Sequence, residues 1–183
     1  PADRSSSGET VAAEKDAANR SASGAAGNDE PKTEHRLPDL VGYVVDQTDT
    51  AILVVSPEPK DLSANGGISD YHEAIWFGGA PDEVEVGMKV EAWAKRGQIE
   101  ESYPAQAGAG QVNVLEADTP EGADLPEADV IRAAIGQFGT EEGGFVIVRG
   151  ADYDPAADHW KVELLNGNSL DRAPVTIEIA DEA

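Results

Sequence analysis

Few residues in this sequence could do chemistry, and a catalytic triad is the first possibility to weigh. Ser69, Asp70 and His72 have the residue types of a triad. They are close neighbours in the sequence, whereas the members of a triad are assembled from distant positions on a scaffold. The sequence also contains no Gly-x-Ser-x-Gly nucleophile elbow. We therefore interpret the three residues as the polar part of a loop.

Adjacent carboxylates are a second possibility, because paired acids can act as general acid and base. The pairs at 100–101 and 141–142 are both Glu-Glu. In a chain with 36 acidic residues such neighbours arise by chance, and nothing in the sequence gives one of them the role of acid and the other that of base. We predict no catalytic residue in this protein.

Residues 152–158, together with Glu163, resemble part of a calcium-binding loop. The segment lacks the glycine at the sixth position and an oxygen side chain at the fifth. An Asp-Pro β-turn explains the same residues, and we favour it. There is no cysteine, the three histidines are scattered, and the glycine-rich pieces at 65–67 and 108–110 do not precede helices. We predict no metal site and no cofactor.

The charge of the chain limits its partners. Thirteen Lys and Arg residues stand against 36 Asp and Glu residues, which gives a formal net charge of −23. Nucleic acid and anionic membranes would be repelled by such a surface, so we expect neither as a partner. No apolar run approaches the length of a transmembrane span. We expect a monomer.

Four aromatic residues are the candidates for ligand binding. Trp93 lies on the polar side of its predicted strand, and Tyr71, Trp76 and Tyr103 lie close to predicted loops. Exposed aromatics on a barrel can form a stacking platform for sugars or peptides. The alternative is a minor second core against the C-terminal unit, which the rarity of exposed aromatic patches favours.

The elements that must position these residues begin after a predicted disordered tether at 1–37. That segment is rich in Ala, Ser, Gly and charge and has no aromatic residue. Residues 38–118 contain short β-branched or alternating runs with no convincing helix, which predicts a small antiparallel barrel. We expect strands at 40–46, 51–56, 72–77, 87–95, 98–103 and 111–116, with a long loop at 57–70 and a shorter one at 104–110. An OB-like barrel is preferred, and an SH3-like barrel is the alternative.

Residues 119–183 predict a small α+β unit, so the whole chain is mainly β. One helix is expected at 125–138, capped by Asp124 and ended by Gly139. Alternating strands are expected at 145–149, 160–165 and 175–180, with a turn at 151–158. A helix lying on a three-stranded antiparallel sheet is the natural packing. A unit this small should pack against the barrel.

The middle of the sequence also resembles a known family, the YobA-like domain of small secreted lipoproteins from Gram-positive bacteria. The resemblance covers residues 40–116. It is carried by an ordered set of segments: AILVVSPE at 51–58, SANGG at 63–67, Tyr71 with AIWF at 74–77, VGMKVEAW at 86–93 and IEESYPAQ at 99–106. The family has no established function or catalytic residues, so the resemblance implies none here.

The resemblance implies an OB-like barrel, export, and tethering through a lipidated cysteine ahead of a flexible spacer. This sequence has no cysteine, which fits a chain trimmed after that anchor. We expect a non-enzymatic cell-surface binding or accessory protein whose partner is an envelope glycan or an extracellular protein. The recognition surface would be loop 57–70 with the turn around Tyr103. The alternatives are an inhibitor or regulator of another extracellular protein and, less favoured, a hydrolase.

Overall fold

The computed structural model describes residues 36–117, 119–139, 144–169 and 173–182. The predicted tether at 1–37 therefore lies outside the described residues except for its last two positions, and the Glu pair at 141–142 also lies outside. Residues Leu37–Ala183 form one compact unit. Its strands and helix are β1 Leu40–Gln47, β2 Ala51–Val55, β3 Ala74–Gly78, β4 Lys89–Glu100, β5 Ala105–Leu115, α1 Glu127–Phe138, β6 Val146–Asp154, β7 His159–Asn166 and β8 Val175–Ala180.

The first five strands close into a barrel with the order β1-β2-β3-β5-β4. All neighbours are antiparallel except β3 and β5, which run parallel with Ile75 opposite Ala105. β4 closes the barrel on β1 with Ala92 opposite Leu40. This is the five-stranded OB-like form, and the remaining strands make the separate antiparallel sheet β6-β7-β8. The prediction of a mainly β chain with a barrel, one helix and a three-stranded sheet is confirmed.

The barrel is apolar on the inside and also on part of its outside. Alternate residues of β2 divide between two clusters: Ile52 and Val54 lie in the barrel core, whereas Leu53 and Val55 lie in a second core outside it. Both faces of this strand are therefore buried, which is why its sequence is continuously apolar rather than alternating. The second core, here called the shared core, also contains Trp160 and most of the buried residues of α1 and β6–β8. The C-terminal sheet and helix thus pack on the barrel, as expected for a unit of their size.

The predicted strand at 98–103 and the predicted loop at 104–110 are both wrong. Residues 98–103 do not make a separate strand, because β4 continues to Glu100, and residues 104–110 are not a loop but the first half of β5. Their Gly and Ala content indicated a loop, yet Ala105, Ala107 and Ala109 pack against the barrel core. At Gly110 the two strands approach closely, since a Cβ there would lie 3.1 Å from the Cα of Lys95.

The start of α1 is held by a residue far away in the sequence. The helix begins at Glu127, and no side chain caps it at Pro126, so the expected cap at Asp124 is wrong. Instead, Asp181 accepts hydrogen bonds from the backbone N–H groups of Asp124 and Leu125, at 2.6 and 2.8 Å. It also accepts one from the indole N–H of Trp160, at 3.1 Å. Asp181 therefore ties the segment before α1 to the end of β8 and to β7.

The helix meets the barrel along its first turns. The hydroxyl of Tyr43 donates to Glu127 at 2.8 Å, and Arg132 donates to the carbonyl of Val86 at 2.9 Å. Between them, a Cβ on Gly87 would lie 2.1 Å from the carbonyl oxygen of Ala128, well inside contact distance. Glycine at this position lets the barrel and the helix backbone touch.

Gly87→Ala should separate the helix from the barrel. Gly79→Ala is the matched control, because Gly79 also has a positive φ but has no atom within 4 Å of its Cβ position. The control should lose about 1–2 kcal/mol of unfolding free energy from left-handed strain. Gly87→Ala should lose about 1–3 kcal/mol more from the collision. Urea unfolding measures both values, and equal losses in the two variants would contradict the close packing.

Asp181 should give the fold part of its acid sensitivity. Burial raises the pKa of this carboxyl, but its three hydrogen bonds outweigh that effect, so the pKa is lowered below the ordinary value of 3.8. A lowered pKa in the folded state means that the stabilisation is present above the unfolded-state value and is lost as the pH falls through the folded-state value.

Asp181→Asn should therefore be less stable than the wild type at pH 7, and the difference should shrink as the pH falls below about 4. Glu182→Gln is the control, since it removes the same charge from an exposed neighbour. Chemical unfolding at a series of pH values checks this. A difference between Asp181→Asn and the wild type that is constant down to pH 2.5 would contradict it.

Candidate functional site

The structure separates the four predicted aromatic site residues into two groups. Trp93 is buried, with 7 % of its surface exposed. Trp76 is half-buried and packs against the shared core. Tyr71 is half-buried, whereas Tyr103 exposes 43 % of its surface. The alternative, a second core against the C-terminal unit, describes Trp76, whereas Trp93 is buried without belonging to that core. Tyr103 is the one of the four whose surface is largely open to solvent.

The face of the barrel that OB-type domains use for ligands is covered in this protein. In such barrels the face of strands 2 and 3 and the adjoining loops bind oligonucleotides and oligosaccharides. Here Leu53 and Val55 of β2 and Ala74 of β3 are buried in the shared core. A ligand therefore cannot reach this face without displacing the C-terminal sheet. The loop between β4 and β5 carries Tyr103 and remains at the surface.

The two tyrosines form an aromatic pair whose ring centroids are 5.4 Å apart. On its other side the ring of Tyr103 meets Phe145 edge-on at 5.6 Å. The hydroxyl of Tyr103 donates to the carbonyl of His72 at 3.1 Å. These three contacts hold the Tyr103 ring in place while 43 % of the residue's surface stays exposed. An aromatic ring held in this way loses little conformational entropy when a ligand binds.

The long loop at 57–70 is joined to this pair. The backbones of Lys60 and Tyr71 exchange two hydrogen bonds, at 2.6 and 3.1 Å, and Lys60 also forms an ion pair with Glu73. The pKa of the Tyr71 hydroxyl is raised, first by burial and then by the Glu73 carboxylate, with Lys60 opposing. The predicted recognition surface, loop 57–70 with the turn at Tyr103, is therefore one continuous feature of the fold.

His72 lies beneath the pair and is completely buried. Its Nδ1 lies 2.8 Å from the carbonyl oxygen of Ser56, and because a carbonyl only accepts, Nδ1 carries the proton. Its Nε2 has no hydrogen-bond partner among the described residues, although Oδ1 of Asp70 is 3.4 Å away in a poorly aligned position. No hydroxyl of the described chain therefore bonds to the imidazole, as a triad serine would.

The segment resembling a calcium loop forms the turn between β6 and β7. Oδ1 of Asp154 accepts from the backbone N–H groups of Ala156 and Ala157, and Oδ2 pairs with Lys161 at 3.1 Å. These bonds lower the pKa of Asp154, the one from Lys161 most. β6 extends to Asp154, so the predicted turn is shorter than 151–158. Within the described ranges, no group of three or more His, Asp or Glu residues is placed to hold a metal ion.

A feature that the sequence analysis missed is a groove on the β4–β5 hairpin. Ala94 pairs with Ala109 and Ile99 pairs with Ala107, so the four residues 95–98 lie opposite Gly108 alone. This wide bulge opens a cavity of about 490 Å³, which we call the bulge groove. It is lined by Lys95, Arg96, Gln98, Glu100, Gln106, Ala107 and Gly108. The signal in the sequence is Lys95-Arg96, its one pair of adjacent basic residues.

A second hollow of about 410 Å³ lies between the barrel and the first turn of α1. Within it, Tyr43 is hydrogen-bonded to Glu127, and Lys89 lies 5.3 Å from the centre of the Tyr43 ring. In the part of the chain that the structure describes, no helix has the length and hydropathy needed to cross a membrane.

The barrel segment matches a known protein family. Residues 41–116 match the family described as "Protein of unknown function (DUF3221)". This segment coincides with the barrel, from β1 to the end of β5, and makes up less than half of the chain. The match is consistent with an uncharacterised domain family for the barrel segment, whereas the YobA-like identification and the lipoprotein character stay predictions. No curated protein and no solved structure matches this chain.

Replacing Tyr103 tests the ring contacts that hold the pair. Tyr103→Ala removes two ring contacts, with Tyr71 and Phe145, each worth about 0.5–1.5 kcal/mol, and the hydrogen bond to His72, worth about as much, so the unfolding free energy should fall by about 1.5–4.5 kcal/mol. Tyr103→Phe keeps both ring contacts and loses one hydrogen bond, which should cost about 0.5–1.5 kcal/mol. Urea unfolding gives both values. Equal losses would show that the rings contribute nothing.

Proposed function

We propose that this protein is a non-enzymatic binding module of the cell surface, whose ligand is an envelope glycan or an extracellular protein. The observation that carries the proposal is the exposed ring of Tyr103, which is fixed on Tyr71 at the tip of the β4–β5 hairpin. Tyrosines held this way are frequent energetic anchors of binding surfaces. The usual ligand face of the barrel is covered, which leaves this tip and loop 57–70 as the presented surface.

The non-enzymatic part of the proposal is supported by the chemistry around His72. Its Nδ1 is hydrogen-bonded to the carbonyl of Ser56, and its Nε2 is buried with no hydroxyl partner among the residues described. A general base needs a proton donor within reach and access for a substrate. A completely buried imidazole that donates its proton to the backbone instead joins the segment before β3 to Ser56, which directly follows β2.

The cell-surface part rests on two sequence observations. The barrel segment resembles a family of exported lipoproteins, which implies a surface location. The net charge of −23 also suits a salt-rich or alkaline exterior, because acidic surfaces stay hydrated and soluble there. A binding module outside the cell needs neither cofactor nor metal.

Binding to isolated Gram-positive cell walls and to a glycan array tests the proposal. Tyr103→Ala should weaken binding about tenfold or more, as loss of an aromatic anchor does. Tyr103→Phe should bind nearly as well as the wild type. Val175→Ala is the matched control, because Val175 exposes the same 43 % of its surface on the distant strand β8.

Two results would contradict the proposal. One is the absence of any ligand in the array, the cell-wall assay and a pull-down from envelope proteins. The other is a ligand whose affinity is unchanged by Tyr103→Ala while the variant remains folded by circular dichroism. A stable heteromeric complex with one extracellular protein would instead assign the module to regulation of that protein.

A further inference from the structure

The bulge groove is lined by two basic side chains, Lys95 and Arg96, that have no acidic partner among the described residues. Lys60, Arg132, Arg149 and Lys161 each form an ion pair with an acid. By contrast, neither Lys95 nor Arg96 takes part in an ion pair among the described residues. In a chain with 36 acidic and 13 basic residues, two adjacent cations without a carboxylate partner are unexpected. Both line the same cavity.

The backbone is shaped to present these cations. Arg96 has φ of 56° and is followed by Gly97 with φ of 67°, so two successive residues adopt the left-handed conformation. This conformation costs an arginine free energy that glycine would not lose. Strained residues and bulges of this kind concentrate at binding sites, where they re-aim a side chain. Across the hairpin, Gly110 lets the backbone of Lys95 approach closely, since a Cβ there would lie 3.1 Å from the Lys95 Cα.

We propose that the bulge groove binds an acidic saccharide, that is, a hydroxyl-rich ligand with one or a few carboxylate or phosphate groups. Lys95 and Arg96 would hold the anionic group, while Gln98, Gln106 and Glu100 offer amide and carboxylate partners for hydroxyls. This inference rests on the proposed function, because it names the ligand class of a site on the same hairpin as Tyr103.

The lining and size of the groove favour a sugar over an apolar ligand or a peptide. A volume of about 490 Å³ lies within the range of small-ligand sites. The lining has no aromatic and no large aliphatic residue, so it offers no anchor for an apolar side chain. Amide, carboxylate and cationic groups are instead the partners that a ring with hydroxyls and one acidic group can satisfy.

The charge of the whole protein limits how many anionic groups the ligand carries. Two cations attract an anion at contact distance. The net charge of −23 repels a long polyanion, because much of such a ligand lies within the Debye length of about 8 Å from acidic surface. This repulsion reaches further at low salt. A short acidic saccharide keeps the local attraction and avoids most of this repulsion. A nucleic acid would not.

Calorimetric titration of the full chain tests the inference with four probes: tri-galacturonate, its fully methyl-esterified form, a glucose trisaccharide with one phosphate, and tri-glutamate. The variant Lys95→Gln/Arg96→Gln removes both charges with little change in size. Arg149→Gln/Lys161→Gln removes the same charge from two ion-paired sites and is the matched control. Circular dichroism confirms that each variant is folded.

We expect tri-galacturonate or the phosphorylated trisaccharide to bind the wild type and the control alike. The groove variant should bind about tenfold more weakly or worse, since hydrogen bonds to charged groups are lost. Which of the two probes binds better identifies carboxylate or phosphate as the recognised group. Equal affinity for the methyl ester, tighter binding of tri-glutamate, no binding by either acidic saccharide, or equal loss in the control variant would overturn the inference.

The same variants in the cell-wall assay separate this inference from the proposed function. If Tyr103→Ala weakens wall binding and Lys95→Gln/Arg96→Gln does not, the binding module stands and the acidic-saccharide site is wrong. If both variants weaken it, both proposals are supported. If the groove variant alone does so, the saccharide site stands without the role given to Tyr103.

Discussion

Burial of β1–β3 on both faces is the constraint on which the rest of this structure depends. One face fills the barrel, and the other forms the shared core with α1 and the sheet β6-β7-β8. Apolar surface on both sides of a strand must be covered twice, so the barrel requires its C-terminal partner layer. The same packing buries the face of β2 and β3, which OB-type barrels offer to ligands, in the shared core.

With that face closed, the β4–β5 hairpin on the other side of β3 carries both surfaces that we propose for binding. The hairpin differs from the rest of the barrel because its strands are long, rich in Ala and Gly, and interrupted by the bulge at residues 95–98. It carries the exposed ring of Tyr103 and the two cations of the bulge groove. A rigid barrel with one irregular hairpin is a common arrangement for displaying a binding surface.

Several polar side chains in this protein form hydrogen bonds that connect separate elements of the fold. Asp181 joins the end of β8 to the segment before α1, and Arg132 joins α1 to the barrel. His72 joins the segment before β3 to Ser56, the residue that precedes loop 57–70. Each bond links positions far apart in sequence or closes a long loop. The excess of acidic residues therefore coexists with a small number of specific contacts, and most carboxylates remain on the solvated surface.

The sequence by itself determined the strands with clear periodicity, the helix ending at Gly139, and the loop at 57–70, because period-two alternation and glycine punctuation are local properties. It did not reveal β5 between 105 and 110, whose Ala and Gly residues carry too weak an apolar signal to indicate a strand.

Only the tertiary structure decided which aromatic residues are exposed, since Trp93 and Tyr103 were both candidates for the surface, yet Trp93 is buried and Tyr103 exposes 43 % of its surface. It alone placed Asp181 at the start of α1 and Lys95 and Arg96 in a groove. Those positions depend on contacts between distant segments, which no local pattern records.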